Sequence, residues 1–277
     1  MSDEAVLTDL AQEVRFEVLE MAARAQTPHV AGALSCVETL VALYFGGTFR
    51  LSRDSLLDGT ADTVVFSKGH AISALYAVLS QVGLIDKSEL LTYNVNGGRL
   101  PEQPAANQLP GVFWATGSLG HGLSVGLGVA LGRQRQGDSR RVIVLVSDGE
   151  CQEGSFWEAL ALASHHRLDN LLLLVDANGW QATDRVSNVT NIYPLEPKFR
   201  AFDWQTSSVD GRSASRIGRS IEALMAQRGR PSALIVNTLK GQGIFFMEDD
   251  NNWHYRSPTS DELLLARNHA FGISQHA

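Results

Sequence analysis

The stretch RVIVLVSDGECQEGSFWEALALASHHRLDNLLLLVDAN, residues 141–178, decides the fold. Its first seven residues, RVIVLVS, contain a continuous apolar run over 142–146, which predicts a buried strand that ends at a DGE turn. The following segment places Phe156, Leu160 and Ala163 on one face, which predicts a helix. A second apolar run then predicts a strand that ends at Asn178. The stretch therefore reads as one strand–helix–strand unit.

Similar signals lie on both sides of this unit. The segment DTVVFSKGH predicts a short strand, and SALIVNTL at 232–239 predicts a further buried strand. Residues 8–47 have helical periodicity, interrupted at Pro28–His29, with Ser35 as the expected N-cap of the second helix. Continuous apolar strands that alternate with helices are typical of a parallel sheet covered on both faces. The predicted fold class is α/β, with a parallel central sheet and helices on both faces.

Composition excludes several classes of protein. The 277 residues are 44% apolar and 19% charged, which favours one large globular domain, or at most two. The net charge of −7 and the absence of a basic block argue against nucleic acid as a partner. The acidic start and the lack of a long apolar run predict a cytoplasmic chain with no membrane span. Cys36 and Cys151 are too few for a disulfide framework.

Polar side chains follow the two central strands at the point where each strand ends. Asp148 follows the first strand and Asn178 follows the second, so both should reach the same edge of the sheet. A carboxylate, a carboxamide and a nearby backbone carbonyl are oxygen ligands that suit Mg²⁺ or Ca²⁺. Gly149 permits close approach of a ligand, and a helix beginning near Glu153 favours an anion. The pattern indicates a metal-bridged phosphate site, although an ordinary strand-to-helix turn and an ordinary Asn-Gly turn explain it equally well.

A family resemblance adds to this interpretation. The stretch SDGECQEGSFWEALALASHHRLDNLLLLVDANGWQ resembles the thiamine-diphosphate motif of transketolases, and SKGHAISALYAVL, TGSLGHGLSVGLGVALG and NTLKGQGIFFMEDDNNWHYRSP resemble further blocks of that family in the same order. The similarity spans about residues 10–260. It implies a thiamine-diphosphate-binding fold in which residues 1–277 form a single diphosphate-binding domain. The pyrimidine-binding and C-terminal domains of the family have no counterpart here and are expected on a partner chain.

The resemblance also implies an activity. The chain is expected to be the N-terminal subunit of a split transketolase that moves a two-carbon ketol unit from a ketose to an aldehyde. It should be active only with its C-terminal partner, in an α2β2 heterotetramer. Two alternatives stay open: a subunit of a decarboxylating enzyme of the 2-oxo acid dehydrogenase or deoxyxylulose-phosphate synthase type, and a non-catalytic cofactor-binding subunit.

Roles for individual residues follow from the same resemblance. Thiamine diphosphate and Mg²⁺ (or Ca²⁺) are the implied cofactors. The implied metal ligands are Asp148, Asn178 and the Trp180 carbonyl. The implied cofactor-binding residues are His70, Gly117, Ser118, Leu119, Asp148, Gly149, Glu150, Asn178, Lys240 and His254. The implied catalytic residues are His29, His70, His254 and Glu153, the last at a subunit interface.

The sequence departs from the family pattern at one position that bears on substrates. The segment LPEQP (100–104) stands where transketolases acting on sugar phosphates typically read LPGHP, so Gln103 replaces a histidine. A glutamine donates and accepts hydrogen bonds but, unlike a histidine, cannot become positively charged by protonation. Non-standard donors or acceptors are therefore expected. Lys68 is either a phosphate contact or a surface lysine, and His121 a possible neighbour of the site.

Overall fold

The core of the chain is a five-stranded parallel sheet with the strand order β1-β2-β3-β5-β4. The structure is a computed structural model that describes residues 3–270, so positions 1, 2 and 271–277 of the predicted domain 1–277 lie outside the described residues. The strands are β1 Thr63–Phe66, β2 Val142–Ser147, β3 Leu171–Ala177, β4 Gln205–Asp210 and β5 Ser232–Asn237. The strands expected within DTVVFSKGH (62–70), at 141–147, within LDNLLLLVDAN (168–178) and at 232–239 are all present.

Two apolar cores cover the two faces of this sheet. Alternate residues of the central strands face opposite sides, as a pleated strand requires. Ile143 and Leu172 belong to the core that includes α1, α3, α5 and α10, whereas Val144 and Leu173 belong to the core that includes α6, α7 and α9. The helices are α1 Glu4–Ala25, α2 Val30–Leu34, α3 Val37–Phe45, α4 Arg53–Asp58, α5 Ile72–Gln81, α6 Gly122–Gln136, α7 Gly154–His165, α8 Val186–Val189, α9 Leu195–Ala201, α10 Ala214–Met225 and α11 Ser260–Ala270. The α/β prediction with helices on both faces is confirmed.

The register of β2 and β3 brings their ends together. Ser147, the last residue of β2, pairs with Asp176 near the end of β3. The residues that follow, Asp148 and Asn178, therefore emerge side by side at the carboxyl edge of the sheet. This is the placement that the spacing predicted.

Two local details differ from expectation. Ser35 was the expected N-cap of a helix, but it ends α2, and its hydroxyl donates to Asp176 at 2.6 Å and lies 3.0 Å from the Gly32 carbonyl. The N-cap prediction is therefore wrong, because a buried carboxylate takes the hydroxyl that would have capped the helix. Strand β4 was not predicted. It is an edge strand with a mixed exposure pattern, and it therefore has no apolar run.

None of the helices between residues 3 and 270 combines the length and apolar character needed to cross a membrane.

Candidate active site

A cavity of about 370 Å³ opens at the carboxyl edge of the sheet. Residues that follow four different strands converge there: Lys68 after β1, Asp148 after β2, Asn178 after β3 and Lys240 after β5. Ligands of open α/β sheets bind at this edge. The cavity wall includes ten of the predicted site residues: His29, His70, Gly117, Leu119, Gly149, Glu153, Asn178, Trp180, Lys240 and His254. Asp148, Glu150 and Ser118 are not part of that wall.

Asp148 is fully buried at the end of β2. Its Oδ1 accepts from the backbone N–H of Gly149 at 2.8 Å, and its Oδ2 accepts from the N–H of Gly179 at 2.7 Å and from the Tyr193 hydroxyl at 2.6 Å. A carboxylate offers roughly four lone-pair sites, so one is left for a ligand. Burial raises the pKa of Asp148 to about 6, although the hydrogen bond from Tyr193 acts in the opposite direction. The ionised form of such a buried carboxylate is strongly stabilised by a nearby cation.

The Asn178 carboxamide has a fixed orientation. Its Nδ2 donates to Asp176 Oδ2 at 3.0 Å, and its Oδ1 accepts from the Trp180 N–H at 3.0 Å. Because a carboxylate only accepts, the nitrogen must face Asp176 and the oxygen keeps one free lone pair. Trp180 is held in turn, since its indole N–H donates to Asp249 at 2.8 Å and its ring lies 3.8 Å from the Arg185 guanidinium.

A buried ion pair lies beneath these residues. Lys68 and Asp176 are both fully buried and form an ion pair, and Asp176 also accepts from Ser35 at 2.6 Å and from Thr238 at 2.5 Å. Burial alone would raise the pKa of Asp176, but the Lys68 ammonium and these hydrogen bonds bring it below its usual value. Lys68 is therefore neither of the two expected alternatives, a phosphate contact or a surface lysine, because it is buried in an ion pair with Asp176. Asp176 holds Asn178, so it is a functional residue that the sequence reasoning missed.

Glu150 does not line the cavity, contrary to the expected contact with a diphosphate. It is fully buried, and its Oε1 accepts from the Ser67 hydroxyl at 2.5 Å and from the Gly120 N–H at 3.0 Å. A carboxylate and a phosphate would also repel each other, so burial on the side of Gly120 is the more favourable arrangement. Glu150 fixes the loop that carries Gly117 and Leu119 into the cavity wall.

The loop 117–121 depends on glycine at one point. Gly117 has φ of +120°, and a Cβ there would come 2.3 Å from Gln103 Oε1. Gln103 itself belongs to the cavity wall, so the residue that departs from the family pattern does face the site. Ser118 is exposed, and the His121 ring contacts the carbonyls of Ser118 and Leu119 at 3.2 Å without reaching the cavity wall.

Three imidazoles cluster at the other end of the cavity. The ring centroid of His29 lies 5.0 Å from that of His254 and 5.5 Å from that of His70. The centroids of His70 and His254 are 6.3 Å apart. Burial lowers the pKa of all three rings, that of His254 to about 4, with the Lys240 ammonium acting in the same direction. The rings are therefore neutral at pH 7 and act as hydrogen-bonding groups rather than as cations.

Lys240 is a buried ammonium that faces the cavity. Its Nζ donates to Asn251 Oδ1 at 2.6 Å and to His254 Nδ1 at 2.8 Å, and only 2% of the residue is exposed. Within the described part of the chain, Lys240 forms no ion pair with a carboxylate. Buried charges are normally paired, so the cavity is suited to an anion at this point.

These features fit a diphosphate held through a divalent cation. Asp148 and Asn178 each keep an oxygen lone pair at the end of neighbouring strands, and oxygen is the ligand atom that Mg²⁺ and Ca²⁺ prefer. The buried Lys240 supplies a positive charge for the phosphate oxygens. These are the features expected of a phosphate-anchoring site at the carboxyl edge of an open α/β sheet.

Comparison with known proteins identifies the family. The family model for the thiamine diphosphate binding domain of transketolase matches residues 6–277, and the chain belongs to this family. It is 36% identical over 238 residues to one subunit of the apulose-4-phosphate transketolase of Actinobacillus succinogenes, covering 86% of each chain. It is 36% identical over 252 residues to a 6-deoxy-6-sulfo-D-fructose transketolase subunit of a Clostridium species, covering 90% of each chain.

The fold agrees with this assignment. The transketolase from Leishmania mexicana superposes with a TM-score of 0.88 at 20% identity, over 100% of this chain and 42% of that one. The chain thus spans less than half the length of that solved transketolase. The predicted thiamine-diphosphate-binding fold is confirmed. The prediction of an N-terminal subunit of a transketolase, a transferase, is confirmed as well, and the alternative of a decarboxylating enzyme is not favoured.

Proposed function

We propose that this chain is the diphosphate-binding subunit of a split transketolase, which transfers a two-carbon ketol unit from a ketose donor to an aldehyde acceptor. One observation carries the proposal: a single cavity is lined by Asn178, by three neutral histidines and by the Lys240 ammonium, which has no carboxylate partner among the described residues. Asn178 and Lys240 suit a metal-bound diphosphate, and the histidines suit the hydroxyl and carbonyl groups of a sugar.

Thiamine diphosphate and Mg²⁺ (or Ca²⁺) are the cofactors in this proposal. When bound, thiamine diphosphate would supply the nucleophilic carbon that ketol transfer requires. Asp148, Asn178 and the Trp180 carbonyl would hold the cation. The ammonium of Lys240 would neutralise phosphate charge, and Gly149 would allow close approach of the backbone.

The remaining wall of the cavity would orient the substrate. His29, His70 and His254 are neutral hydrogen-bonding groups within 6.3 Å of one another, so each can contact a sugar oxygen. Glu153 is exposed at the rim of the cavity, which is compatible with the predicted role at a subunit interface. Gly117 and Leu119 would pack against the cofactor, with Ser118 on the exposed side of the same loop.

The partner in this proposal is a C-terminal subunit that carries the pyrimidine-binding domain, in an α2β2 heterotetramer. Two similar relatives are named as subunits of transketolases, which supports a partner chain. We place the complex in the cytoplasm, a reducing compartment that is compatible with the free, buried thiols of Cys36 and Cys151.

Non-standard substrates are part of the same proposal. The two relatives carry names that refer to apulose 4-phosphate and to 6-deoxy-6-sulfo-D-fructose. Gln103 lines the cavity where a histidine is usual in the family, so this chain would contact the donor through an uncharged amide. A specialised ketose is therefore the expected donor.

The test is reconstitution with the partner subunit. The full chain and its partner should together convert a ketose and an aldehyde into new sugars, in a reaction that requires thiamine diphosphate and Mg²⁺, whereas either chain alone should be inactive. A screen of ketose donors, including branched and sulfonated sugars, identifies the substrate. Robust turnover by the isolated chain would contradict the split-subunit proposal, and release of CO₂ from pyruvate would contradict the ketol-transfer proposal.

A further inference from the structure

Two neighbouring histidines of the cavity have different hydrogen-bond partners on the same ring atom. His254 Nδ1 lies 2.8 Å from Lys240 Nζ, and His29 Nδ1 lies 3.3 Å from Glu102 Oε1. Both rings belong to the cavity wall and their centroids are 5.0 Å apart. Among the described residues, the second nitrogen of each ring, Nε2, has no hydrogen-bond partner and is left for a ligand.

The partner of His254 determines where its ring proton lies. An ammonium group has three donors and no acceptor, so Lys240 can only donate to His254 Nδ1. A neutral imidazole that accepts at one nitrogen carries its proton on the other. His254 is therefore the Nε2–H tautomer, and it offers a donor to whatever occupies the cavity.

The partner of His29 has the opposite effect. A carboxylate only accepts, so the Glu102 carboxylate requires a proton on His29 Nδ1. Across the described residues, the Glu102 carboxylate is the side-chain acceptor found at this nitrogen. The side chains of Glu102 and His29 are 28% and 19% exposed, so the contact is largely shielded from water. His29 then has a bare Nε2, which is an acceptor.

We propose that Glu102 is a positioning residue that holds His29 in the Nδ1–H tautomer, so that His29 and His254 present one acceptor and one donor to the substrate. A ketose has adjacent carbonyl and hydroxyl groups, which match such a pair: the carbonyl oxygen accepts from His254 and a hydroxyl donates to His29. The match to a ketose rests on the proposed function, whereas the tautomers rest on the contacts alone.

The first experiment observes the tautomers directly. Long-range ¹H–¹⁵N NMR spectra of the full chain, labelled with ¹⁵N-histidine and assigned with His29→Gln and His254→Gln, should show His29 as Nδ1–H and His254 as Nε2–H. Glu102→Ala should remove the Nδ1–H preference of His29 and leave His254 unchanged. Glu102→Gln should retain it in part, because the amide oxygen still accepts. Glu20→Ala, which removes a carboxylate that lies 42% exposed on α1, is the matched control and should change neither ring.

The second experiment measures catalysis in the reconstituted complex. Glu102→Ala should lower kcat/KM for the ketose about tenfold, the equivalent of one hydrogen bond to a correctly oriented ring. It should also move the acid limb of the kcat/KM profile to lower pH, because Glu102 favours protonated His29 and its removal lowers the pKa of that ring further. The other groups around His29, namely His70, His254, Tyr255 and Lys240, are unchanged in this variant.

The two experiments separate this inference from the function proposed above. Nε2–H on His29 of the unaltered chain would overturn the inference, whatever the variants do. So would a Glu102→Ala complex with an unchanged pH profile. The expected tautomers in a complex that shows no ketol transfer would support the role of Glu102 and contradict the proposed function.

Discussion

The two ends of the cavity are built in different ways. At the end where we propose a cation (the cation end), Asn178 lines the cavity and the buried Asp148 follows the adjacent strand. The buried Lys68–Asp176 pair supports Asn178. At the histidine end, His29 lies in a left-handed conformation with φ of 68° between α1 and the short helix α2, and His254 ends a single 3-10 turn. The sheet fixes the first end, whereas loop-to-loop contacts fix the second. Cofactor binding should therefore be sensitive to buried groups, and substrate choice to loop residues.

The largest effect is expected at the buried pair. Asp176→Ala would leave the fully buried Lys68 ammonium without its counter-charge, which should lower the free energy of unfolding by about 3–5 kcal/mol. Urea denaturation of the full chain measures this. The double variant Lys68→Met/Asp176→Ala is the control, since removal of both charges should recover much of the loss. If Asp176→Ala alone were nearly neutral, the buried pair would not be the support of the cation end.

A smaller effect is expected at Tyr193, whose hydroxyl donates to Asp148 Oδ2. Groups that orient a metal ligand typically contribute 10–100-fold to metal affinity, so Tyr193→Phe should weaken Mg²⁺-dependent uptake of thiamine diphosphate by about tenfold or more. Calorimetric titration of the reconstituted complex measures the change. Tyr255→Phe, at an exposed tyrosine of the histidine end, should leave the cation affinity unaltered. Equal losses of cofactor affinity in both variants would show that the two ends of the cavity do not differ in their contribution to cation binding.

Lys240 joins the two ends and gives a pH-dependent prediction. Burial, with Lys68 acting in the same direction, lowers the pKa of Lys240 to about 8. The ammonium is charged below that pH and loses its charge above it, so affinity for the diphosphate should fall as pH rises from 8 to 9, by at most about tenfold. Lys240→Arg stays charged throughout and should flatten this dependence, whereas Lys87→Arg, at an exposed lysine, should leave it as in the unaltered complex. An unaltered decline in Lys240→Arg would assign the pH dependence to another group.

The smallest effect is expected at Gln103. Gln103→His restores the residue usual in the family at a position that faces the cavity, and should shift donor preference toward common ketose phosphates by about tenfold or less. The ratio of kcat/KM values for the two donors measures this shift, with cofactor affinity as the internal control. A change in cofactor affinity rather than in donor preference would contradict the expectation that Gln103 contacts the donor.

The sequence predicted the placement of Asp148 and Asn178 from its own pattern, and the histidine end only through the family resemblance. Apolar strands followed by Asp148 and Asn178 predict both the sheet and the edge at which these two side chains meet, because the carboxyl ends of parallel strands lie at the same edge. Asp176 carried a signal that was not used: it is a charged residue inside the apolar run 171–177, where a charge requires a partner.

Other features have no local signal. Tyr193 contacts Asp148 across 45 residues, and Glu102 contacts His29 across 73 residues. Such contacts depend on how long loops return to the sheet, which no periodicity in the chain reports. The buried position of Glu150 has a similar cause. Its carboxyl group accepts hydrogen bonds from Ser67 and Gly120, both of which are remote in sequence.

The most direct test of the account is calorimetric titration of thiamine diphosphate into the reconstituted complex, with and without Mg²⁺. The unaltered complex should take up the cofactor only when Mg²⁺ is present, and Asp148→Ala should abolish that uptake, while Asp203→Ala, at an exposed aspartate elsewhere, should leave it intact. Uptake by Asp148→Ala with unaltered affinity and unaltered dependence on Mg²⁺ would contradict the claim that the ends of β2 and β3 anchor the cofactor.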